Sequence, residues 1–377
     1  MRLAPTRCEA FLTVSRASSV IREDARHVAL SLGRALDPLA GTTLLVTGAS
    51  GFLCSYFLDI IVAANDKVLA KPCRVVGLDN FQSSLPDRLE HLRGRTDVDL
   101  VRHDMRQPYE RDGSIEWVIH GASVASPTFY RRFPLETIDV NVDGTRHLLE
   151  RTRRGDVRSL LVLSTSEIYG DPDAAHIPTA EDYRGNVSCT GPRACYDESK
   201  RLAETLCWNY HNLYQTPVKV VRPFNVYGPG QRLDDARIIP DLMSAALERR
   251  PLVLYSDGRA TRSLCYVRDA IAAMLHVLVS RADGQAFNVG NDAEELSMRD
   301  LAARLRDVAG PPALPVQFAR SADPNYNVDS PQRRCPDLKK LRRLAPWQPE
   351  VGLTEGLSRT LRSYREQSVQ DSHEVAD

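Results

Sequence analysis

The sequence lacks the features that mark several large classes of protein. Positive and negative side chains balance at 49 each, so no excess of either sign favours a nucleic acid or an anionic membrane as partner. No hydrophobic run approaches the roughly 18 residues that a membrane-spanning helix needs. A secretory signal is not expected either, because Arg7, Glu9 and Arg16 interrupt any apolar stretch near the start. These absences predict a cytoplasmic protein.

The eight cysteines are scattered and form no recognisable site. None belongs to a CxxC pair, and none clusters with histidine at the spacing of metal ligands. We therefore predict reduced thiols, with no disulfide framework and no bound metal.

What the sequence does have is a regular alternation of short apolar runs and helical patterns. Its 377 residues, 42% of them hydrophobic, can bury a sizeable core in one large domain or in two lobes that share a cleft. Short buried strands that alternate with helices are typical of a parallel sheet covered on both faces. We predict an α/β fold, a Rossmann-like doubly wound parallel sheet with a smaller mixed α/β lobe. The expected strands lie at 43–46, 74–78, 100–103, 117–120, 159–163 and 218–221, and the expected helices at 52–63, 136–152 and 194–214.

A glycine-rich turn follows the first expected strand. Gly48 permits the tight turn, and Gly51 lets the backbone approach a pyrophosphate at the N-terminus of the next helix. The third position of the usual glycine trio is Cys54, where a small side chain suits helix–strand packing. Asp79 ends the second strand, where a carboxylate would bind ribose hydroxyls and repel a 2′-phosphate. The pattern predicts a dinucleotide site and favours NAD over NADP.

Tyr196 and Lys200 are four residues apart on an expected helix, so both project from one face. Tyrosine has a pKa of about 10 and is a poor base at neutral pH. A nearby ammonium and a positive nicotinamide would both favour the phenolate, and a lowering of three pKa units requires about 4 kcal/mol. We predict that Tyr196 is the base of a hydride-transfer pair and that Lys200 is its partner.

A second set of polar residues follows the expected strand 159–163. Residues just beyond the carboxyl end of a parallel strand face the ligand crevice. Thr165 is suited to bind a sugar hydroxyl, and Glu167 to act as an acid or base or to position a water.

In these motifs the chain resembles the extended short-chain dehydrogenase/reductases that act on nucleotide sugars, and within them the nucleotide-glucuronate decarboxylases. The resemblance covers roughly residues 42–365. Its most specific stretches are STSEIYGDP at 164–172 and GPRACYDESKR at 191–201. Further matches lie at 121–127, 222–229, 261–263 and 329–337.

The resemblance implies a role for each of a larger set of residues. The catalytic set would be Thr165, Ser166, Glu167, Tyr196 and Lys200. The cofactor contacts would be Gly48, Ser50, Gly51, Phe52, Leu53, Asp79, Asn80, Asp104, Met105, Gly121, Ala122, Ser123, Asn141, Tyr196, Lys200 and Pro223. The nucleotide-sugar contacts would be Ser123, Tyr130, Arg193, Asn225, Arg237, Tyr255, Arg262 and Arg334.

Ser166 bears on which reaction follows oxidation at C4. The related glucose 4,6-dehydratases carry at this position an aspartate that protonates the leaving C6 hydroxyl, so the acid for dehydration is missing here. We therefore expect decarboxylation of a nucleotide-linked glucuronate through a 4-keto intermediate, with Glu167 relaying a proton to C5. A nucleotide-sugar 4-epimerase and a non-catalytic NAD-binding scaffold are the alternatives. Uridine or thymidine nucleotide, and 4-keto pentose or xylose product, both remain open.

The chain is expected to divide into four parts. Residues 1–40 would be an N-terminal extension with an amphipathic helix at 18–36, and 366–377 a disordered tail. The NAD-binding domain would span 41–222, with a return at 265–290. The substrate-binding lobe would comprise 223–264 and 291–365. By resemblance, a homodimer is expected through the helices around 136–152 and 194–214.

Overall fold

The computed structural model describes residues 18–326 and 328–374. Residues 1–17 of the expected extension and 375–377 of the expected tail lie outside that range. The ten α-helices of the described chain are α1 Ser19–Leu32, α2 Phe52–Lys67, α3 Pro127–Arg132, α4 Pro134–Arg153, α5 Ala194–Tyr214, α6 Ile238–Leu247, α7 Val267–Val279, α8 Met298–Ala309, α9 Lys339–Leu344 and α10 Leu353–Glu374. In this described part, none of them is both long and apolar enough to cross a membrane.

The described chain has fourteen strands, and seven of them form one parallel sheet. The strands are β1 Thr43–Thr47, β2 Arg74–Asp79, β3 Val98–Arg102, β4 Trp117–His120, β5 Ser159–Leu163, β6 Val218–Pro223, β7 Val226–Tyr227, β8 Leu252–Leu254, β9 Thr261–Ser263, β10 Cys265–Tyr266, β11 Ala286–Val289, β12 Glu295–Ser297, β13 Val316–Phe318 and β14 Arg333–Arg334. The large sheet has the order β11-β6-β5-β4-β1-β2-β3, and the remaining strands form three small sheets. The predicted doubly wound α/β fold with a smaller mixed lobe is confirmed.

The strand order places the cleft. The chain runs outward from β1 to β3, then returns to the other side of β1 with β4. At such a switch point the loops leaving the two strands diverge and open a crevice at their carboxyl ends. All four residues of β4 and all five of β5 are buried, because helices cover both faces of the sheet. The crevice is therefore built on a rigid base.

The N-terminal helix α1 is shorter than predicted, because a 3-10 helix at Gly33–Leu39 follows it. It packs on the main body through a fully buried carboxylate. Asp24 accepts hydrogen bonds from the Tyr266 hydroxyl and from Arg359 on α10, both at 2.7 Å. Buried charge is costly without such partners, so these contacts fix the position of α1.

The C-terminal segment differs from the prediction of disorder from 366 onward. Helix α10 continues to Glu374, and the side chain of Gln367 is buried. Charged composition favours disorder only where a segment has nothing to pack against. Here the side chain of Gln367 packs α10 against the rest of the protein.

A second buried charge lies on α2. Asp59 falls in an apolar helix and contacts Arg88 at 2.5 Å and His91 at 2.6 Å. Burial opposes ionisation of Asp59, but Arg88 and His91 outweigh it, so the pKa of Asp59 lies below its usual value. The Arg88 side chain is 2% exposed and depends on this carboxylate.

We expect Asp59→Asn to lower the free energy of unfolding by about 3–5 kcal/mol, because it leaves the Arg88 guanidinium buried without a counter-charge. Urea unfolding measures the loss. Asp66→Asn on the same helix is the control, since Asp66 pairs with Arg95 at the surface and should cost at most about 1 kcal/mol. Equal losses in the two variants would contradict this account.

Candidate active site

A cleft of about 740 Å³ lies beyond the carboxyl ends of β1, β5 and β6. It brings together every residue of the predicted catalytic and nucleotide-sugar sets. It also contains most of the predicted cofactor set, including the glycine-rich turn. The predicted residues that line it are Gly48, Ser50, Gly51, Phe52, Leu53, Gly121, Ser123, Tyr130, Thr165, Ser166, Glu167, Arg193, Tyr196, Lys200, Pro223, Asn225, Arg237, Tyr255, Arg262 and Arg334.

A smaller pocket of about 70 Å³ continues the cleft across the glycine-rich turn. Gly48, Gly51, Gly121 and Ser123 line both spaces. The remaining predicted cofactor residues lie in the smaller pocket. They are Asp79, Asn80, Asp104, Met105 and Ala122.

Asn141 is the exception among the predicted cofactor residues. It is 1% exposed and lines neither space in the described chain. Its side-chain amide instead donates to the Ser199 hydroxyl at 2.9 Å. The cofactor contact of Asn141 stays a prediction, while its bond to Ser199 links α4 to α5 beside Lys200.

The glycine-rich turn fits the close approach of another backbone. Gly48 has φ +70°, and a Cβ atom there would lie 2.8 Å from the Ala122 backbone. Gly51 is the N-cap of α2, and no side chain of the described structure caps that end. Its first N–H groups are therefore free to bind phosphate oxygens.

Cys54 fits because the residue facing it has no side chain. A Cβ atom at Gly121 would lie 2.2 Å from the Cys54 sulfur, and the thiol donates to the Thr47 carbonyl at 3.4 Å. Burial raises the pKa of this thiol to about 12, so it stays protonated. Cys54 thus serves helix–strand packing, in line with the role expected of its position.

Asp79 organises the far side of the turn. Its carboxylate accepts from the Ser50 amide at 2.9 Å, the Phe81 amide at 2.7 Å and the Ser84 hydroxyl at 2.8 Å. Two of these bonds end on Oδ1 and one on Oδ2, so Oδ2 has a lone pair left for a ribose hydroxyl. The uncapped helix, the close-approach glycine and this oriented carboxylate together fit the pyrophosphate and a ribose of NAD.

Tyr196 and Lys200 project from α5 into the cleft beside Thr165. The Lys200 ammonium donates to the Leu163 carbonyl at 2.8 Å and lies 5.9 Å from the centre of the Tyr196 ring. Burial lowers the pKa of Lys200 to about 8. The bond to Leu163 holds the helix face against the end of β5, where Thr165 begins the next turn.

In the chain alone, burial raises the pKa of Tyr196 to about 12, against opposing effects from a Thr165 hydrogen bond and the Arg237 charge. The buried pocket thus disfavours the phenolate more than these two groups favour it. The predicted lowering depends on the nicotinamide charge as well as on Lys200, and it stays a prediction. Tyr130 stacks on Tyr196, with ring centres 5.3 Å apart and an angle of 11° between the planes, and helps to exclude water.

Three arginines converge beyond Tyr196. Arg193 and Arg334 both pair with the Glu167 carboxylate. Arg262 is held by backbone carbonyls, 2.6 Å from that of Pro331 and 2.8 Å from that of Thr261. Burial and the neighbouring Arg334 lower the pKa of Arg262 to about 10, which reflects crowded positive charge. The cluster is suited to an anionic group.

The arginines also decide the state of Glu167. Burial opposes its ionisation, but Arg193 and Arg334 overcome it, so the pKa of Glu167 lies well below its usual value. Glu167 is an ionised ion-pair partner at neutral pH. In this arrangement it holds no proton of its own to donate, and its role as a proton relay stays a prediction.

Some residues at the site were not predicted. Asp197 follows Tyr196 on α5 and is 5% exposed, but the burial of one carboxylate on a helix depends on packing that the sequence does not display. Arg88 lines the cleft behind α2. The sequence carries one sign of a buried arginine here, because Asp59 in an otherwise apolar helix requires a buried partner.

A switch-point crevice with a phosphate-binding turn, a ribose-binding carboxylate and a buried Tyr–Lys pair defines a dinucleotide-dependent enzyme of the Rossmann class. Residues 44–290 match the NAD dependent epimerase/dehydratase family, and the chain belongs to this family. NAD is its cofactor.

Curated relatives carry the resemblance further. UDP-glucuronic acid decarboxylase 1 of Arabidopsis thaliana is 36% identical over 85% of this chain and 69% of its own length. UDP-glucuronic acid decarboxylase 1 of Xenopus tropicalis is 34% identical over 86% of this chain and 72% of its own length. The resemblance inferred from the motifs is confirmed.

Solved structures share the fold. The UDP-glucuronic acid 4-epimerase of Bacillus cereus, in complex with UDP-glucuronic acid and NAD, has a TM-score of 0.70 and 26% identity, covering 86% of this chain and 99% of its own. The dTDP-glucose 4,6-dehydratase of Streptomyces venezuelae, with NAD bound, has a TM-score of 0.73 and 26% identity, covering 86% and 97%.

We expect Gly48→Ala to weaken NAD binding at least roughly tenfold, because the new methyl group meets the Ala122 backbone and moves the turn. Titration with NADH, followed by its fluorescence, measures the change. Gly94→Ala is the matched control: it also has a positive φ, +81°, but no atom of the described chain lies within 4 Å of the new Cβ. Equal NADH affinity in both variants would contradict the assigned role.

Proposed function

We propose that this protein catalyses the NAD-dependent decarboxylation of UDP-glucuronate through a 4-keto intermediate. The convergence of Arg193, Arg262 and Arg334 beside the Tyr196–Thr165 pair carries the proposal. Three guanidinium groups face one firmly ionised carboxylate, Glu167, so the cluster keeps an excess of positive charge. A sugar carboxylate would compensate that charge while its C4 hydroxyl meets Tyr196.

The chain's own residues supply the acid–base steps. Tyr196 takes the proton of the C4 hydroxyl, and Thr165 orients that hydroxyl by a hydrogen bond. Bound NAD would supply the acceptor for the C4 hydride, and its positive nicotinamide ring would favour the phenolate that burial alone disfavours. Gly48, Gly51 and Asp79 would hold its pyrophosphate and ribose.

The new C4 ketone lies β to the C5 carboxylate, so loss of CO2 leaves an enolate. Tyr196 and Thr165 can stabilise its oxygen by hydrogen bonding. Protonation at C5 gives the 4-keto pentose, and return of the hydride to C4 gives UDP-xylose. Ser166 supports this course over dehydration, because its hydroxyl is not an acid able to protonate a C6 leaving group.

The relatives' names favour uridine as the nucleotide and decarboxylation over 4-epimerisation. Decarboxylase relatives are 34–36% identical to this chain, whereas the 4-epimerase structure is 26% identical. The 4-epimerase remains the second candidate, since it also handles a glucuronate. We further propose that the lobe formed by 223–264 and 291–365 binds the nucleotide sugar. The cytoplasmic location expected from the sequence stays a prediction.

Carboxyl-labelled UDP-glucuronate tests the function directly. We expect stoichiometric release of labelled CO2 from UDP-glucuronate, less from TDP-glucuronate, with the C4 state of the product read by NMR. Tyr196→Phe should reduce release roughly 10³-fold, because the base is lost while the arginine cluster remains. Tyr210→Phe, on the same helix and bonded instead to Glu150, should retain near-normal release.

Two results would count against decarboxylation. Recovery of a C4 epimer with the label retained would identify a 4-epimerase. Near-normal CO2 release from Tyr196→Phe would refute the proposed base.

We also propose a homodimer formed through α4 and α5. Both helices carry large apolar side chains at the surface, where water contact is unfavourable unless a partner covers them. On α4 they are Leu135 and Ile138. On α5 they are Leu202, Trp208, Leu213 and Tyr214.

The double variant Leu202→Glu/Leu213→Glu should therefore shift the protein from dimer to monomer at micromolar concentration, as measured by light scattering after gel filtration. These two side chains are 47% and 70% exposed, so the change disturbs little of the core. Leu30→Glu, at a 53% exposed position on α1, is the control and should remain dimeric. A wild-type monomer would refute the proposal.

A further inference from the structure

Asp197 lies in the first turn of α5, directly after Tyr196, and has no role in the chemistry described above. Its side chain is 5% exposed. One carboxylate oxygen is 3.7 Å from Arg193 Nε. The other is buried and has no hydrogen-bond partner among the residues that the structure describes. The negative charge of a buried carboxylate with one distant partner is poorly compensated, so its ionisation depends on the charges around it.

Arg193 is shared between two carboxylates. It pairs closely with Glu167 and more loosely with Asp197, through different nitrogens of the same guanidinium group. Asp197 therefore restrains Arg193 from behind, and any anion that enters the cluster shares this arginine with both acids. The state of Asp197 and the occupancy of the cluster are physically coupled.

The groups around Asp197 belong to several elements. At the start of α5 they are Arg193, its N-cap residue, and Cys195 and Tyr196 in the first turn. From neighbouring segments they are Glu167 of the turn after β5, Arg334 of β14, Tyr130 of α3 and Asp329.

Together these groups bring the pKa of Asp197 close to neutral pH. Burial is the largest effect and raises the pKa of Asp197, and Glu167 adds to it. Arg193 and Arg334 oppose both, and the resulting pKa is about 7. A third negative charge brought to the same arginines acts in the direction of Glu167, so it raises this pKa further.

We propose that Asp197 is a positioning residue that restrains Arg193 and takes up a proton from solvent when a sugar carboxylate binds the arginine cluster. This inference rests on the proposed glucuronate substrate and adds a proton-linked control of its binding. The step forms one O–H bond on Asp197 and breaks no bond in the substrate. It adapts the charge of the cluster to its occupant.

Calorimetry of the NAD-bound protein tests the proposal without turnover. UDP-4-deoxy-4-fluoro-glucuronate keeps the carboxylate but has no C4 hydroxyl to oxidise, and UDP-glucose lacks the carboxylate. Titrations at pH 7 in buffers of different ionisation enthalpy give the number of protons taken up. A rise of one pKa unit from 7 predicts about 0.4 protons for the uronate, and none is expected for UDP-glucose.

Asp197→Asn should abolish this uptake and leave the affinity for UDP-glucose unchanged, which also shows that the variant is folded. Glu198→Gln is the matched control, because the next residue on α5 is more exposed and pairs with Arg201 instead. It should behave as the wild type.

The pH dependence gives a second readout that a purely structural role would not move. Wild-type affinity for the fluoro-uronate should fall about eightfold between pH 6 and pH 9, because the ionised Asp197 repels the ligand. Asp197→Asn should show no such fall.

Uronate binding without proton uptake, or the same uptake in Asp197→Asn, would overturn this inference and leave the proposed function standing. If UDP-glucose bound and the uronate did not, the proposed function would fail and this inference with it.

Discussion

The parallel pairing of β1, β4 and β5 is the constraint on which the rest of the molecule depends. Parallel strands deliver all their carboxyl ends to one edge, so the loops that follow must share the same space. The glycine-rich turn after β1, the Gly121 turn after β4 and the Thr165 turn after β5 meet there for that reason. Helix α5 then adds its own side chains, held in place by the bond from Lys200 to the Leu163 carbonyl.

Buried charge is the second organising feature, and its balance differs from place to place. Arg88 compensates Asp59, whereas burial keeps the pKa of Asp24 above its usual value despite Arg359, and these two pairs fix α2 and α1 in the fold. In the cleft the positive charge is incompletely compensated. Glu167 neutralises part of the charge of three arginines, and Asp197, with a pKa of about 7, is only partly ionised at neutral pH. Stable pairs hold structure, whereas an unbalanced cluster is available to a ligand.

The sequence predicted the location of the motif residues better than their charge and burial. The residues that the motifs singled out lie together in the structure: the turn at Gly48, the end of β5 and the face of α5 all line one cleft, and the end of β2 lines the pocket that continues it. The features that the sequence did not predict concern charge and burial. Tyr196 has a raised pKa, Glu167 is locked in ion pairs, and Asn141 turns to Ser199, because each outcome depends on neighbours distant in the chain.

The sequence by itself determined the alternation of buried strands and helices, the order of the motifs and the family to which the chain belongs. These are local properties, since strand periodicity, a glycine turn and a Tyr–Lys spacing are each written in a few consecutive residues. Only the tertiary structure decided the protonation of the site. Glu167 meets Arg334 across 167 residues of chain, and no local pattern records such a contact. Protonation depends on the sum of burial and charge around a group, and folding alone assembles that sum.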